Sequence, residues 1–188
     1  VVPTSAGLTY ELLFSDYQGN LSASDAYGAG GQGFPTFCYG DGTGTPCPCG
    51  NTAGAGRGCA NNGPFMNGAL MHGSGSQSVS ADSLLLAAQN LVPSQPGLYF
   101  QGNNAVAGGL GVGFGDGLRC VGGAVVRLEV VFADPGGVSF TTVGIASKGG
   151  AQAGDVKRYQ LWYRSPGPTS ACGFTFNLTN GVEVYWAP

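Results

Sequence analysis

Few residues in this chain have the type and spacing to do chemistry. His72 is its single imidazole, so any Ser-His-Asp or Cys-His mechanism would have to use it. It stands beside Gly73 and Ser74 with no nucleophile motif nearby, which reads as a packing or surface histidine. Two aspartates, Asp41 in Gly40-Asp41-Gly42 and Asp116 in Gly115-Asp116-Gly117, are the candidate metal ligands. A carboxylate between glycines can turn oxygens toward Ca²⁺, with Thr43, Asn51, Asn103 and Asn104 as further donors. Turn formation explains the same residues without an ion, and GGLGVGFGD from Gly108 lacks the Asp that a calcium-binding nonapeptide needs after its third Gly. Gly28 to Gly33 spells a dinucleotide fingerprint, but Phe34-Pro35 opens no helix behind it. The remaining acids are scattered through turns and show no pairing of the kind glycoside hydrolysis uses. These residues lead to the expectation of a non-enzyme without cofactor, Ca²⁺ being the one ion to consider.

Aromatic rings offer binding in place of catalysis. By alternation Trp162, Tyr185 and Tyr99 fall on outward strand faces, where they would stack on a sugar or touch another subunit.

The six cysteines are the densest chemical signal. Four of them lie in Cys38 to Cys59, CYGDGTGTPCPCGNTAGAGRGC, a run too poor in apolar residues to hold a shape by burial. The set is even and contains no Cys-x-x-Cys, so disulfides in an oxidising compartment outrank zinc or redox chemistry. Cys120 and Cys172, each just before a strand, suit one another as long-range partners. Cys47 and Cys49, separated by one Pro, would each reach Cys38 or Cys59.

The elements that must carry these residues are β-strands. The 188 residues suffice for one sizeable core, and 36 Gly with 11 Pro and no three-residue period imply many turns. Hydrophobic residues make up 43% and aromatic ones 11%, enough for a core, whereas 9% charged residues leave a neutral polar surface that does not repel copies of itself. A net charge of −3 without a Lys/Arg cluster excludes a nucleic-acid partner, and no apolar run is long enough to insert into a membrane. The absence of Met at Val1-Val2-Pro3 fits a processed, secreted or cell-surface chain.

Leu8, Tyr10, Leu12 and Phe14 alternate with Thr9, Glu11 and Leu13, giving a strand with one apolar face. Ser15 to Gly33 is then polar and Gly-rich, a linker in composition. Residues 1–33 therefore read as strand and linker, and 34–188 as the main domain. Within it, Phe65 to Met71, Ser83 to Leu91 and Leu98 to Gln101 are candidate strands. Val126, Leu128, Val130 and Phe132 give the clearest core strand, joined through Asp134-Pro-Gly-Gly137 to a second arm, so that 124–145 reads as a hairpin. Tyr159, Leu161 and Tyr163 face inward in a further strand. Asn180-Gly181 marks a closing hairpin between Phe174 to Leu178 and Val182 to Trp186. About seven to nine short strands with no convincing helix predict an antiparallel β-sandwich or jelly roll, with a disulfide-stapled Gly-rich loop and an N-terminal extension strand.

FCYGDGTGTPCPCGN with GRGCANN, GLYFQGNNAVAGGLGVGFGDGLRC, and RYQLWYR with CGFTFNLTNGVEVYW together resemble a module recurrent in predicted secreted proteins of Planctomycetes and related bacteria. The resemblance spans about residues 34 to 187. It implies secretion and a cysteine-bonded module and assigns no functional residue. The expected role is a self-assembling extracellular subunit, a filament or matrix component joined by exchange of Leu8 to Phe14. The alternative is an extracellular module that adheres to polysaccharide.

Overall fold

The computed structural model describes residues 33–167 and 172–188. The candidate strand Leu8 to Phe14 and its linker up to Gln32 lie outside them. Phe34–Pro188 forms one compact unit. Its strands are β1 (Thr36–Phe37), β2 (Leu70–Ser74), β3 (Leu85–Gln89), β4 (Pro96–Gly102), β5 (Asn104–Ala105), β6 (Val112–Phe114), β7 (Gly117–Arg119), β8 (Val121–Gly122), β9 (Val126–Phe132), β10 (Ser139–Phe140), β11 (Val156–Arg164), β12 (Phe176–Leu178) and β13 (Gly181–Tyr185). Among the described residues these strands pair antiparallel throughout, and an isolated bridge between Ser78 and Ala187 is parallel. The largest sheet runs β1-β13-β11-β4-β9, with β12 also on β11, and a second sheet runs β10-β3-β2.

One core lies between these two sheets. Tyr99, Tyr159, Leu161 and Tyr163 of the large sheet pack with Met71, Leu86 and Ala88 of the small one. Three buried tyrosines demand partners for three hydroxyls. Tyr99 Oη lies 3.1 Å from both Oγ and the carbonyl of Ser139, while Tyr159 and Tyr163 accept from Trp186 Nε1 and Asn61 Nδ2, each at 2.9 Å. Burial pushes all three phenols above their ordinary range.

Two hairpin expectations are corrected. The turn after β9 exists, since Asp134 N–H donates to Val138 O at 2.8 Å. The strand it leads to, however, pairs with β3, so β9 and β10 belong to different sheets. The expected second arm is short as well, because Ile145–Gly149 forms a helical turn, α1. Its free amides at Ala146 and Ser147 donate to the Asp82 carboxylate at 2.7 and 3.0 Å, a cap supplied from a distant segment. Asn180-Gly181 is likewise no hairpin turn. β13 pairs with Val156 to Tyr159 of β11 and β12 with Trp162 to Arg164, so the two lie end to end as one interrupted strand. At the interruption the Asn180 amide accepts from Met71 N–H at 2.7 Å and donates to Met71 O at 2.9 Å. A side chain thus does what a strand backbone would do at the edge of β2.

A third layer covers part of the large sheet's other face. It consists of the Cys38 to Cys59 run and the small pairs β5/β8 and β6/β7, and its apolar contacts with the sheet join Leu118, Cys120 and Val121 to Phe100 and Leu178. The disulfides are Cys38–Cys120, Cys47–Cys59 and Cys49–Cys172, with Cα separations of 5.8, 5.8 and 5.5 Å. Cys47–Cys59 is one of the pairings expected within the cluster. The expected Cys120–Cys172 bond is replaced by two bonds that carry Cys38 and Cys49 out to the body. Gly40 and Gly58 let this layer sit close: a Cβ on the first would collide with the Cys59 backbone and on the second with Leu178 O. The Gly-rich run is therefore stapled down onto the sheet.

Candidate functional site

The covering layer stops short, and what it leaves open is the candidate site. Cross-strand partners share a face. Trp162 on β11 pairs with Leu98 on β4, and Leu98 with Val130 on β9. In the next row Pro96 pairs with Phe132 and Arg164 with Phe176. This side of the sheet is opposite the tyrosine core, and toward the β9 edge nothing among the described residues lies over it. Val130 is 64% and Phe132 68% exposed.

Phe176 ties the platform to the covering layer, with its ring centroid 5.3 Å from Phe114, 5.5 Å from Trp162 and 6.0 Å from Phe174. Phe114 and Phe174 are themselves exposed. An apolar band thus crosses four strands, about 14 Å at ordinary strand spacing. A contiguous surface of this kind marks an interaction site more often than isolated exposed residues do. It ends at an edge that is open among the described residues, where β9 pairs only with β4.

Sequence alternation puts Val126, Leu128, Val130 and Phe132 together on the core face of β9, and the structure corrects this for the last two. The register shifts between Tyr99 and Phe100, where Tyr99 faces Glu129 and Phe100 faces Arg127, so Leu128 is an unpaired bulge. Leu128 is buried, but Val130 and Phe132 beyond the bulge emerge on the uncovered face. Glu129 turns the other way, accepting from Thr142 N–H at 2.7 Å and from its hydroxyl at 2.5 Å.

The three candidate stacking rings do not form one site. Tyr99 is fully buried in the tyrosine core, which corrects its outward assignment. Trp162 is half-buried on the platform. Tyr185 is exposed, but it faces Val156 at the opposite end of β11, six residues from Trp162 and so about 20 Å away. Its hydroxyl donates to Glu183, which raises its pKa, and Glu183 also pairs with Arg158 at 2.6 Å.

The candidate calcium ligands are separate and engaged. Asp41 Oδ1 accepts from Thr43 N–H at 3.0 Å and its hydroxyl at 2.5 Å, and Oδ2 from Gly56 N–H at 2.9 Å. Burial pushes this carboxyl up, but the hydrogen bonds from Thr43 and Gly56 outweigh it and hold the pKa below its usual value. Asp116 is buried and accepts from the Cys172 and Phe174 amides at 3.2 and 3.3 Å, positioning the segment that carries Phe174. Among the described residues no group of three or more His, Cys, Asp or Glu converges. Asn103 holds Lys157 Nζ at 3.0 Å and Arg158 Nη1 at 2.5 Å. Asn51 donates to the carbonyls of Ala60 and Asp116 at 2.9 and 2.7 Å, and Asn104 lies in β5. Asn177, in the Asn-x-Thr sequence Asn177-Leu178-Thr179, is fully buried and its Nδ2 donates to Cys59 O and Ala60 O, so it is closed to glycosylation in the folded chain.

His72 lies in β2 opposite Ala87, with a buried Nδ1 that has no hydrogen-bond partner. Desolvation lowers its pKa from the ordinary 6.5. Below pH 6.5 the unfolded chain takes up a proton that the folded chain refuses, so stability is lost as pH falls from 6.5 toward the lower folded value. Urea midpoints at pH 7.5 and 5.5 should show this loss, and His72→Gln should flatten the dependence in that window.

The site belongs to a disulfide-bonded, nearly all antiparallel β module with an apolar sheet face left partly uncovered among the described residues. No family model matches the chain, and neither a curated protein nor a solved structure is similar to it. The three disulfides are consistent with an extracellular setting, and no described helix is long and apolar enough to cross a membrane.

Proposed function

We propose that this is a secreted, non-enzymatic structural protein whose copies assemble by exchanging the strand Leu8 to Phe14. The observation that carries the reading is the exposed pair Val130 and Phe132, continued by half-buried Trp162 and Phe176 and running to a strand edge that is open among the described residues. Such a surface calls for an apolar covering with strand geometry, and the alternation of Leu8, Tyr10, Leu12 and Phe14 predicts a strand with one apolar face, followed by a Gly-rich stretch of linker composition. Transfer of that strand from copy to copy is head-to-tail and open, so it builds filaments. The adhesion alternative is weaker, because Phe and Val give a sugar no hydrogen bonds and the rings first assigned to it are dispersed.

Particle size by light scattering and electron microscopy tests the reading. The full chain should form elongated particles that dissociate on dilution, and deletion of residues 1–14 should leave folded monomers. Unchanged oligomers after the deletion would remove strand exchange. A strictly monomeric full chain would remove assembly altogether and leave a glycan screen as the next experiment.

A further inference from the structure

Building on the assembly reading, we propose that the acceptor for the incoming strand is the open edge of β9, along Glu129 to Phe132, and that its occupant is Leu8 to Phe14 of a second copy. The other edges are less suitable. The outer edge of β13 is occupied by β1 and, beyond it, by the bridge between Ser78 and Ala187. β2 is engaged at Met71 by the Asn180 amide and has five residues, and β10 has two. β9 has seven, and its bulge at Leu128 confines an uninterrupted new ladder to the half beyond it. That half carries Val130 and Phe132, so an added strand with Leu8, Tyr10, Leu12 and Phe14 on the same side would cover the two most exposed apolar side chains of the domain.

Charge is compatible with this. Residues 1–33 contain Glu11, Asp16 and Asp25 and no base, so of the ten acids seven remain in the body against seven bases (10 − 3 = 7). The whole net charge of −3 therefore resides in the tail. In the body, Lys157 and Arg158 are held in ion pairs with Asp155 and Glu183. Arg127, within β9, and Lys148, in the helix beside it, are exposed and form no ion pair among the described residues. An acidic strand arriving at β9 meets these two cations together with Glu129 and Asp134, whose carboxylates are engaged by Thr142 and by the amides of Gly136 and Val138, so the edge is balanced in charge and the apolar side chains select the strand.

Two full-length variants test the assignment. Leu12→Asp disables the donor and leaves the acceptor intact, whereas Val130→Asp/Phe132→Asp disables the acceptor and leaves the donor intact. Each alone should weaken self-association by at least about tenfold, the loss expected from one or two apolar contacts. Mixed together, they should form one-to-one pairs that grow no further, because only one productive interface remains. Circular dichroism and melting of the β9 variant should match the parent, since both positions are exposed. If Leu12→Asp blocks assembly while the β9 variant assembles like the parent, β9 is not the acceptor and strand exchange stands. If neither variant changes particle size, or the parent is monomeric, strand exchange fails and this assignment fails with it.

Discussion

A Cys38→Ala/Cys120→Ala double variant is expected to lose about 3–5 kcal/mol of folding stability, against about 3 kcal/mol or less for Cys47→Ala/Cys59→Ala. The first bond closes a separation of 82 residues and the second one of 12, so the first removes more freedom from the unfolded chain. Packing does not separate the two bonds, because Cys38, Cys120, Cys47 and Cys59 are all buried in the same apolar cluster and truncation of either pair leaves a void under the covering layer. Cys49–Cys172 has the longest separation, 123 residues, but Cys49 is exposed and Cys172 half-buried, so a mild reductant should open this bond first. Urea unfolding of the variants, with mass mapping of the first thiols released by reductant, checks both statements. Equal losses for the two double variants would show that packing, and not cross-linking, holds the layer.

How much of this was readable in the sequence depends on how local the cause is. Inward faces decided by simple alternation came through: Tyr159, Leu161 and Tyr163 are buried as a row, and Ser83 to Leu91 contains β3 despite its helix-forming residues. Signals that depend on a distant partner did not. Asn180-Gly181 has hairpin composition, yet Met71 offers the Asn180 amide two backbone bonds across a gap of 109 residues, and the chain runs straight on. Pairing of Cys172 with Cys49 rather than Cys120 follows from how the third layer folds over the sheet, which spacing along the chain does not encode. In β9 a single bulge reversed the phase, so Val130 and Phe132 looked like core and are the heart of the candidate site. The opposite error occurred at Tyr99, assigned outward and fully buried. The calcium ligands were the right residues for turns, and each carboxylate is engaged by backbone amides around it.

Gln160 carries the second large effect. Alternation sets it on the outer side of β11 with Trp162 and Arg164, where a glutamine would face water, but the third layer lies on top and it is fully buried. Its amide joins the layers: Oε1 accepts from Cys120 N–H at 2.9 Å, and Nε2 donates to Leu118 O at 2.9 Å and to Thr179 O at 2.7 Å. Gln160→Leu keeps the volume and strands one amide and two carbonyls without water. At about 1–3 kcal/mol for each unmet group, and less for a carbonyl with a second acceptor site used, the expected loss is about 3–5 kcal/mol. Gln152→Leu, at an exposed position, should stay within about 0.5 kcal/mol of the parent. Gln160→Glu separates the donor from the acceptor. The carboxylate can still accept from Cys120 but faces two carbonyls, so its folded pKa rises and the neutral acid, which can donate once, is favoured. Its stability relative to the parent should therefore be best below the ordinary Glu range and fall as pH rises through the raised folded value. A Gln160→Glu variant whose deficit is independent of pH between 4 and 7 would mean that the two carbonyls find other donors, and that Cys120 N–H alone is what the side chain serves.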